Sequence, residues 1–300
     1  MNRPPSDPPL QNHAIDRYAV LGNPVEHSQS PFIHAAFAQA TGQAMHYGRL
    51  LCPLDAFAAT ALEFSRSGCG DDSPQGPARG CNVTVPFKFQ AHDLATRRSE
   101  RAVLAGAANT LRFDAQGWFA DNTDGIGLVR DIEHNAGVDL RGRRVLLLGA
   151  GGGASGALGS LLRARPALIR VVNRTPAKAR ELVERHQALA TECEVDLQAG
   201  GLDEPGSGFD LVINGSTSSL QSSGVPLPGK VLRPGTLAID MMYGAAAQGF
   251  VQWASEHGAV GRDGLGMLVE QAAEAFTLWR GVRPATADVL AALRLRVSSR

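Results

Sequence analysis

The sequence predicts an α/β fold of two domains, one of them built on a doubly wound parallel sheet. Three observations support this prediction. The chain has 300 residues, enough for two domains of roughly 150 residues each. Hydrophobic residues make up 44% of it, which is sufficient for a core in each domain. From Arg144 onward, short apolar strands alternate with helical segments, as they do in a parallel sheet.

The composition excludes several classes of protein. The 29 Lys and Arg residues balance the 29 Asp and Glu residues, so neither nucleic acid nor an anionic membrane is expected as a partner. The four cysteines are too few and too irregularly spaced for a disulfide framework or a zinc site. No apolar stretch approaches the roughly 18 residues of a membrane span. We therefore expect a cytoplasmic protein, a monomer or homodimer, that binds small molecules and no metal.

The N-terminal half begins with a polar tail and two helices. Residues 1–17 are rich in Pro, Asn and Asp and are predicted to be disordered. Tyr18–Gly22 is apolar, ends in glycine and predicts the first strand. A helix should begin at Ser30, with the serine as its cap and proline following, and end at Gly42. A second helix is predicted from about Leu54 to Arg66.

Polar side chains collect in the strands and turns that follow. Ser67–Arg79 has the composition of an exposed loop. The strand Cys81–Val85 then places Asn82 and Thr84 together on one face, because side chains alternate along a strand. Two further strands and a helix complete this half: Asn109–Phe113, Trp118–Ala120 and a helix from about Thr123.

The second half carries the alternating strands and helices, and the chain ends in two helices separated by glycine. The parallel order of the strands follows from this alternation, since parallel neighbours need a crossover helix between them. The predicted elements are the strands Val145–Leu148, Ile169–Val172, Phe209–Ile213 and Thr236–Ile239, a helix ending at Arg163, a helix after Thr175 and Pro176, and the final helices Leu265–Trp279 and Pro284–Arg296.

A glycine-rich turn after the strand Val145–Leu148 predicts a dinucleotide site. The turn has the pattern GxGxxA, in the strand, turn and helix context that this pattern requires. Gly149 permits the tight turn, Gly151 lets the backbone approach a pyrophosphate, and the following helix N-terminus supplies amides. The predicted contacts in this turn are Gly149, Ala150, Gly151, Gly152 and Gly153.

The end of the next strand indicates NADP as the cofactor. An NAD site normally has an acidic residue there, about 20 residues after the glycines, to hold the ribose hydroxyl. This chain has Asn173, Arg174 and Thr175 instead, with Lys178 one turn later. A guanidinium grips a 2′-phosphate through two hydrogen bonds, a threonine donates another, and a lysine adds charge, whereas a carboxylate would repel the phosphate.

Ordered motifs along most of the chain resemble those of the shikimate dehydrogenase family. The similarity extends from about Tyr18 to Leu293. The motifs are Gly-Asn-Pro-Val-Glu-His-Ser-Gln-Ser-Pro31, Asn-Val-Thr-Val-Pro-Phe-Lys88, Gly-Ala-Ala-Asn-Thr110, Asp-Asn-Thr-Asp-Gly125, Gly-Ala-Gly-Gly152, Asn-Arg-Thr175, Asp-Met-Met-Tyr243 and Asp-Gly-Leu-Gly-Met-Leu-Val-Glu-Gln-Ala-Ala273.

The resemblance implies reversible, NADPH-dependent reduction of 3-dehydroshikimate to shikimate, on the route to chorismate and the aromatic amino acids. It also implies that Ser28 and Ser30 bind the substrate carboxylate. Lys88 and Asp124 are then the catalytic pair, in which the lysine is a proton donor, an electrostatic anchor or both. The other implied contacts are Asn82, Thr84, Asn109, Tyr243 and Gln271 for the substrate, and Met241 and Gly264 for the cofactor.

The resemblance divides the chain into a substrate-binding domain, residues 18–123 with 264–300, and a Rossmann-like NADP-binding domain, residues 124–263. Two departures from the family pattern stand out. Ser67–Arg79 is long, and Gly153-Ala-Ser155 lacks an arginine that relatives often carry. A quinate-using enzyme and a non-catalytic NADP-sensing relative are the alternatives. The joint presence of Lys88, Asp124 and Gln271 argues against the second.

Overall fold

The chain folds into two six-stranded sheets with helices packed against each. The computed structural model describes residues 15–67, 76–216 and 225–298. The strands are β1 (Asp16–Gly22), β2 (Met45–Leu51), β3 (Ala78–Val83), β4 (Arg97–Arg98), β5 (Thr110–Asp114), β6 (Gly117–Asp121), β7 (Arg144–Leu148), β8 (Leu168–Val172), β9 (Asp196–Gly200), β10 (Leu211–Asn214), β11 (Leu237–Asp240) and β12 (Val260–Arg262).

The helices connect and cover these strands. A π-helical turn, Asp131–Asn135, continues the fifth α-helix, and a short 3₁₀ turn covers Gly229–Val231. The α-helices are α1 (Ser30–Thr41), α2 (Phe57–Ser67), α3 (Lys88–Leu94), α4 (Glu100–Ala105), α5 (Asp124–Arg130), α6 (Gly152–Arg163), α7 (Pro176–Cys193), α8 (Ala245–Glu256), α9 (Leu265–Arg280) and α10 (Ala287–Ser298).

The first sheet is mixed and has the order β2-β1-β3-β5-β6-β4. Its first three strands run parallel, and β5 returns antiparallel to both β3 and β6. The carboxyl ends of β1 and β3 therefore meet at one edge of the sheet. The backbone amide of Thr84, just after β3, donates to the Leu21 carbonyl near the end of β1 at 2.9 Å. This edge is where the predicted substrate residues come together.

The second sheet is entirely parallel and confirms the predicted doubly wound fold. Its order is β12-β11-β10-β7-β8-β9. From β7 the chain continues to β8 and the edge strand β9, and it then returns to form β10 on the other side of β7. Ligands bind at such a switch point, outside the carboxyl ends of the strands. Apolar cores lie on both faces, one against α6 and α7 and the other against α8.

Helices α5 and α9 pass between the two sheets and pack closely on each other. Glycines make this approach possible. A Cβ added to Gly127 in α5 would lie 2.6 Å from the Cβ of Gln271 in α9, and one on Gly125 would lie 2.5 Å from the Gly156 carbonyl oxygen in α6. α5 is thus packed between α6 of the second sheet and α9, which shares a core with α1 and α10.

Several local predictions differ from the structure. β1 begins at Asp16, inside the predicted tail, because Asp16 and Arg17 pair with β2. Ser30 is the first helical residue rather than a cap, and Gln29 precedes it without a side-chain cap. The strand expected to reach Val85 ends at Val83. Residues 1–14, and 68–75 of the expected loop, lie outside the described residues. The sequence did not predict β2, β4, β9, β12, α3, α4 or α8.

The wholly buried His34 generates a prediction about acid stability. Burial lowers the pKa of His34 to about 3, from an ordinary value near 6.5. Between these values the unfolded chain binds the extra proton, so stability falls as the pH falls. In His34→Phe, the dependence of the unfolding free energy on pH should weaken by about 1.4 kcal/mol per pH unit.

Urea denaturation between about pH 4 and pH 6 measures this dependence, within the window that the His34 pKa defines. The exposed His134 supplies the matched control, since His134→Phe should leave the dependence close to that of the wild-type protein. If the pH dependence of the unfolding free energy were unchanged in His34→Phe, this would contradict the low pKa assigned to His34.

Candidate active site

A cleft of about 2200 Å³ lies between the two sheets. A single small ligand usually occupies about 300–1000 Å³, so the cleft has room for a dinucleotide and a second, smaller molecule. Every residue that the sequence analysis assigned to substrate or cofactor lines this cleft. The predicted residues therefore converge in space, although they come from both halves of the chain.

Lys88 and Asp124 form an ion pair at the centre of the cleft. The Lys88 Nζ atom lies 2.5 Å from Asp124 Oδ2. The Asp124 side chain is only 6% exposed and that of Lys88 17% exposed, so the pair is largely shielded from water. Each residue is the first of a helix, α3 for the lysine and α5 for the aspartate. The negative Asp124 suits the positive end of its helix dipole.

Asn109 holds the second oxygen of Asp124. Its Nδ2 atom donates to Asp124 Oδ1 at 2.9 Å, and it also lies 2.9 Å from the Thr123 hydroxyl and 3.1 Å from Gln271 Oε1. The backbone amide of Thr123 in turn donates to Asn109 Oδ1. All four side chains are at most 8% exposed. The cluster fixes the orientation of the carboxylate, because each buried polar atom has a partner.

The two serines lie where β1 leads into α1. The Ser28 hydroxyl lies 3.2 Å from that of Ser30, and the Ser30 amide donates to the Ser28 hydroxyl at 3.3 Å. The Arg49 guanidinium donates to the Ser28 carbonyl oxygen. The Tyr243 hydroxyl contacts the Gln29 backbone, and burial raises the pKa of Tyr243, which keeps the phenol neutral. This end of the cleft thus offers neutral donors to an anion.

The edge between the serines and the lysine carries Asn82 and Thr84. Asn82 is 6% exposed and donates from Nδ2 to the Asn109 carbonyl oxygen at 3.2 Å and to Thr110 Oγ1 at 3.1 Å. Thr84 follows β3 and packs across Gly22, where a Cβ would collide with the threonine methyl group. The structure thus places Asn82 against Asn109 and leaves Thr84 at the cleft surface.

The glycine-rich turn after β7 forms an open cradle at the switch point. Gly149 has φ +111°, which favours glycine, and a Cβ there would approach the backbone of Gly215. Space beside Gly151 is open, with no atom of the described residues within 4 Å of an added Cβ. Gly151 precedes α6 without a side-chain cap, so the helix amides face the cleft. A turn of this shape with free helix amides is suited to an anion such as a pyrophosphate.

The basic residues after β8, Arg174 and Lys178, line the same cleft. Within the described residues, neither Arg174 nor Lys178 forms a salt bridge. Thr175 occupies the cap position of α7, yet its side chain makes no capping hydrogen bond. Asn173 donates from its side chain to the Thr175 carbonyl oxygen at 3.0 Å. These groups remain available to an anionic ligand such as a phosphate.

The glycine-rich turn and the Lys88–Asp124 pair are neighbours in the cleft. A Cβ added to Gly152 would lie 3.4 Å from the Cβ of Lys88, and one added to Gly153 would lie 3.5 Å from the Met241 Cε atom. A Cβ added to Gly264 would lie only 2.5 Å from the Met241 carbonyl oxygen, so this glycine packs closely on Met241. Lys88, just after β3 of the first sheet, therefore faces the glycine-rich turn of the second.

Sequence reasoning missed two buried residues that support the site. Thr123 stands inside a motif that the sequence analysis used, but only its neighbour Asp124 received a role. Tyr47 stands in β2, a strand that the sequence did not predict, and its hydroxyl donates to Asn82 Oδ1 at 2.6 Å. Thr123 could have been found from its motif. The position of Tyr47 beside the site follows only from the pairing of β2 with β1.

Family comparisons cover most of the chain. The model of the shikimate dehydrogenase substrate binding domain matches residues 20–111. That of shikimate / quinate 5-dehydrogenase matches residues 131–219, and that of the shikimate 5′-dehydrogenase C-terminal domain matches residues 264–294.

Individual proteins align over nearly their whole length. A shikimate dehydrogenase (NADP(+)) of Methylibium petroleiphilum is 62% identical over 94% of this chain and 95% of its own. The crystal structure of an Ael1 enzyme from Pseudomonas putida has a TM-score of 0.79 at 45% identity, over 93% of this chain and 98% of its own. Shikimate 5-dehydrogenase from Thermus thermophilus, solved with NADP(H) and shikimate, has a TM-score of 0.75 at 29% identity, over 93% and 99%.

The close contact between α5 and α9 predicts that a single methyl group disturbs the site. Gly127→Ala pushes Gln271 away from Asn109 and Thr123 and should lower kcat/KM at least about tenfold, since small displacements of positioned groups are costly. Gly249→Ala in α8 is the control, because an added Cβ there meets no atom of the described residues within 4 Å. Steady-state rates of the two variants measure the difference, and equal rates would contradict the prediction.

Proposed function

The chain belongs to the shikimate dehydrogenase family, and on that premise we propose that it catalyses the reversible reduction of 3-dehydroshikimate to shikimate with NADPH. This is the step that supplies shikimate on the route to chorismate and the aromatic amino acids. The observation that carries the proposal is the shielded Lys88–Asp124 pair, which lines the same cleft as the dinucleotide cradle and faces its Gly152. A proton donor and a hydride donor are then adjacent, as reduction of a ketone requires.

The neutral donors of the cleft suit a rigid, oxygen-rich acid. Ser28 and Ser30 present hydroxyls for the substrate carboxylate, with the neutral Tyr243 phenol nearby. Further along the cleft, Asn109, Asp124 and Gln271 offer amide and carboxylate groups for ring hydroxyls. A pocket of this kind discriminates strongly, because a missing substrate hydroxyl leaves a buried partner unpaired.

Lys88 supplies the proton in the proposed reaction. NADPH, bound in the glycine cradle, is the source of the hydride. As the carbonyl oxygen gains negative charge, the Lys88 ammonium donates a proton to it and stabilises the developing charge. Asp124, held by Asn109, orients the ammonium and accepts a hydrogen bond from the neighbouring substrate hydroxyl. In the reverse direction, neutral Lys88 takes the proton from shikimate.

The cofactor is NADP rather than NAD. Arg174 and Lys178 are unpaired within the described residues and line the cleft beside the cradle. Thr175 has a hydroxyl that does not cap α7. Together they form a site for a 2′-phosphate. Ser155, which stands where relatives often carry an arginine, is buried in α6 and lies outside the cleft lining, so Arg174 carries most of this recognition.

We also propose the domain division that the sequence suggested. Residues 18–123 with 264–300 contain the first sheet, apart from Asp16 and Arg17 of β1, and the helices α9 and α10, while residues 124–263 contain the second sheet. The location in the cytoplasm, and assembly as a monomer or homodimer, stay predictions of the sequence. No helix within the described residues is long and apolar enough to cross a membrane.

Removing the Lys88 ammonium should reduce turnover with little effect on cofactor binding. In Lys88→Met, kcat for shikimate oxidation is expected to fall about 10²- to 10⁴-fold, the usual contribution of a general acid or base. Lys88→Arg separates the two roles of the lysine, because a guanidinium keeps the charge and does not release its proton. If Lys88 is the proton donor, the kcat of Lys88→Arg should be as low as that of Lys88→Met.

Lys230→Met is the control, since that lysine is exposed and lies outside the cleft. NADPH formation gives kcat by absorbance, and titration with NADP checks that the cofactor still binds. Turnover of Lys88→Met within tenfold of wild type would remove the lysine from the mechanism.

Removing the Arg174 guanidinium should weaken NADP selectively. In Arg174→Ala, kcat/KM for NADP is expected to fall about 10- to 100-fold, the value of a charged hydrogen-bonded contact, while kcat/KM for NAD stays nearly constant. Arg180→Ala is the control, because that arginine is exposed in α7, six residues further along the chain, and lies away from the cleft. An equal loss with both cofactors would show that Arg174 does not read the 2′-phosphate.

A further inference from the structure

Tyr47 lies behind the wall of the cleft and contacts Asn82, a residue of the substrate site. It stands in β2, is 7% exposed and does not itself line the cleft. Its ring stacks on the ring of His34 in α1, with centroids 4.2 Å apart and planes inclined by 10°. The low pKa of the buried His34 keeps that ring neutral, so the stack carries no charge. The stack fixes where the Tyr47 hydroxyl lies.

The hydroxyl has a defined direction of hydrogen bonding. It donates its single proton to Asn82 Oδ1 at 2.6 Å. Burial raises the pKa of Tyr47, so the phenol keeps that proton. A phenol has one proton, so the Tyr47 hydroxyl is the donor of this bond and the Asn82 amide oxygen is the acceptor.

The bond from Tyr47 fixes the orientation of the Asn82 amide. Asn82 Nδ2 donates to the Asn109 carbonyl oxygen and to Thr110 Oγ1. With its Oδ1 held by Tyr47 and its Nδ2 held by these two acceptors, the Asn82 amide cannot turn over without losing all three bonds.

We propose that Tyr47, through its contact with Asn82, is a positioning residue that determines how tightly the substrate is held. The inference rests on the proposed function, since it assigns Asn82 to the substrate. Within the described residues, Asn82 bonds to the Asn109 backbone and to Thr110, and makes no hydrogen bond to Lys88 or Asp124. Binding that is equal in the ground state and the transition state changes KM and leaves kcat unchanged.

Tyr47→Phe tests this inference, because it removes the hydroxyl and keeps the ring and its stack. The KM for shikimate should rise about tenfold, equivalent to about 1.4 kcal/mol, while kcat and the KM for NADP change less than about threefold. The matched control is Tyr18→Phe. Tyr18 pairs with Tyr47 across β1 and β2 and is 2% exposed, but its hydroxyl contacts Arg280 instead of the site. The KM of Tyr18→Phe for shikimate should match that of the wild type.

Two further variants identify how the effect arises. Asn82→Leu combined with Tyr47→Phe should raise KM no further than Asn82→Leu alone, since the tyrosine acts through the asparagine. His34→Phe keeps the hydroxyl and should leave KM within about threefold of wild type. A KM rise in His34→Phe as large as in Tyr47→Phe would assign the effect to ring packing and overturn the inference.

The thermal unfolding midpoint checks that each variant is folded. If Tyr47→Phe does not fold, Asn82→Leu removes the acceptor of the same bond and must raise the same KM. If the wild-type enzyme is active and Tyr47→Phe has an unchanged KM for shikimate, or loses only kcat, the inference is overturned while the proposed function stands. A wild-type protein that forms no NADPH from shikimate would instead refute the proposed function.

Discussion

The ion pair between Lys88 and Asp124 is the contact on which the rest of the site depends. Lys88 is the first residue of α3, where the positive end of the helix dipole disfavours a cation. Asp124 Oδ2 lies 2.5 Å from the Lys88 Nζ atom and offsets that cost. The Asp124 carboxylate is itself nearly buried, so it needs a cation beside it. The surrounding residues serve to place this carboxylate: Asn109 holds its second oxygen, and Gly125 and Gly127 let α5 pack between α6 and α9. The same helix connects the two sheets, so the orientation of Asp124 is coupled to the packing between them.

Neutral donor groups lie at one end of the cleft, and positively charged side chains lie at the other. At the serines the donors are neutral hydroxyls, and Arg49 bonds to the Ser28 backbone there. At the distal end, Arg174 and Lys178 present full charges to a phosphate. A buried ammonium stands where negative charge develops in the reaction. The carboxylate is therefore recognised mainly by the geometry of its hydrogen bonds, and the cofactor phosphate mainly by charge.

The sequence predicted the features that depend on neighbouring residues in the chain. The alternating strands and helices after Arg144 predict the parallel sheet, and the GxGxxA turn predicts the cradle; the structure has both. Features that depend on distant partners were missed or wrong. β1 begins at Asp16 because β2 pairs with it, and β2, with the polar His46 and Arg49, has no clear alternation. Ser30 was also predicted to cap α1, yet it is the first residue of the helix, and its hydroxyl hydrogen-bonds to that of Ser28.

The most direct test of this account is the rate of nicotinamide reduction with the purified protein, with shikimate and quinate each combined with NADP and NAD. Quinate carries an extra hydroxyl on the carbon that bears the carboxylate, next to the position of Ser28 and Ser30. The account predicts a high rate for shikimate with NADP and much lower rates for the other three combinations. Comparable rates with quinate or with NAD would contradict the assignment of the serine end or of Arg174, respectively. The absence of a rate in all four combinations would contradict the catalytic role of the Lys88–Asp124 pair.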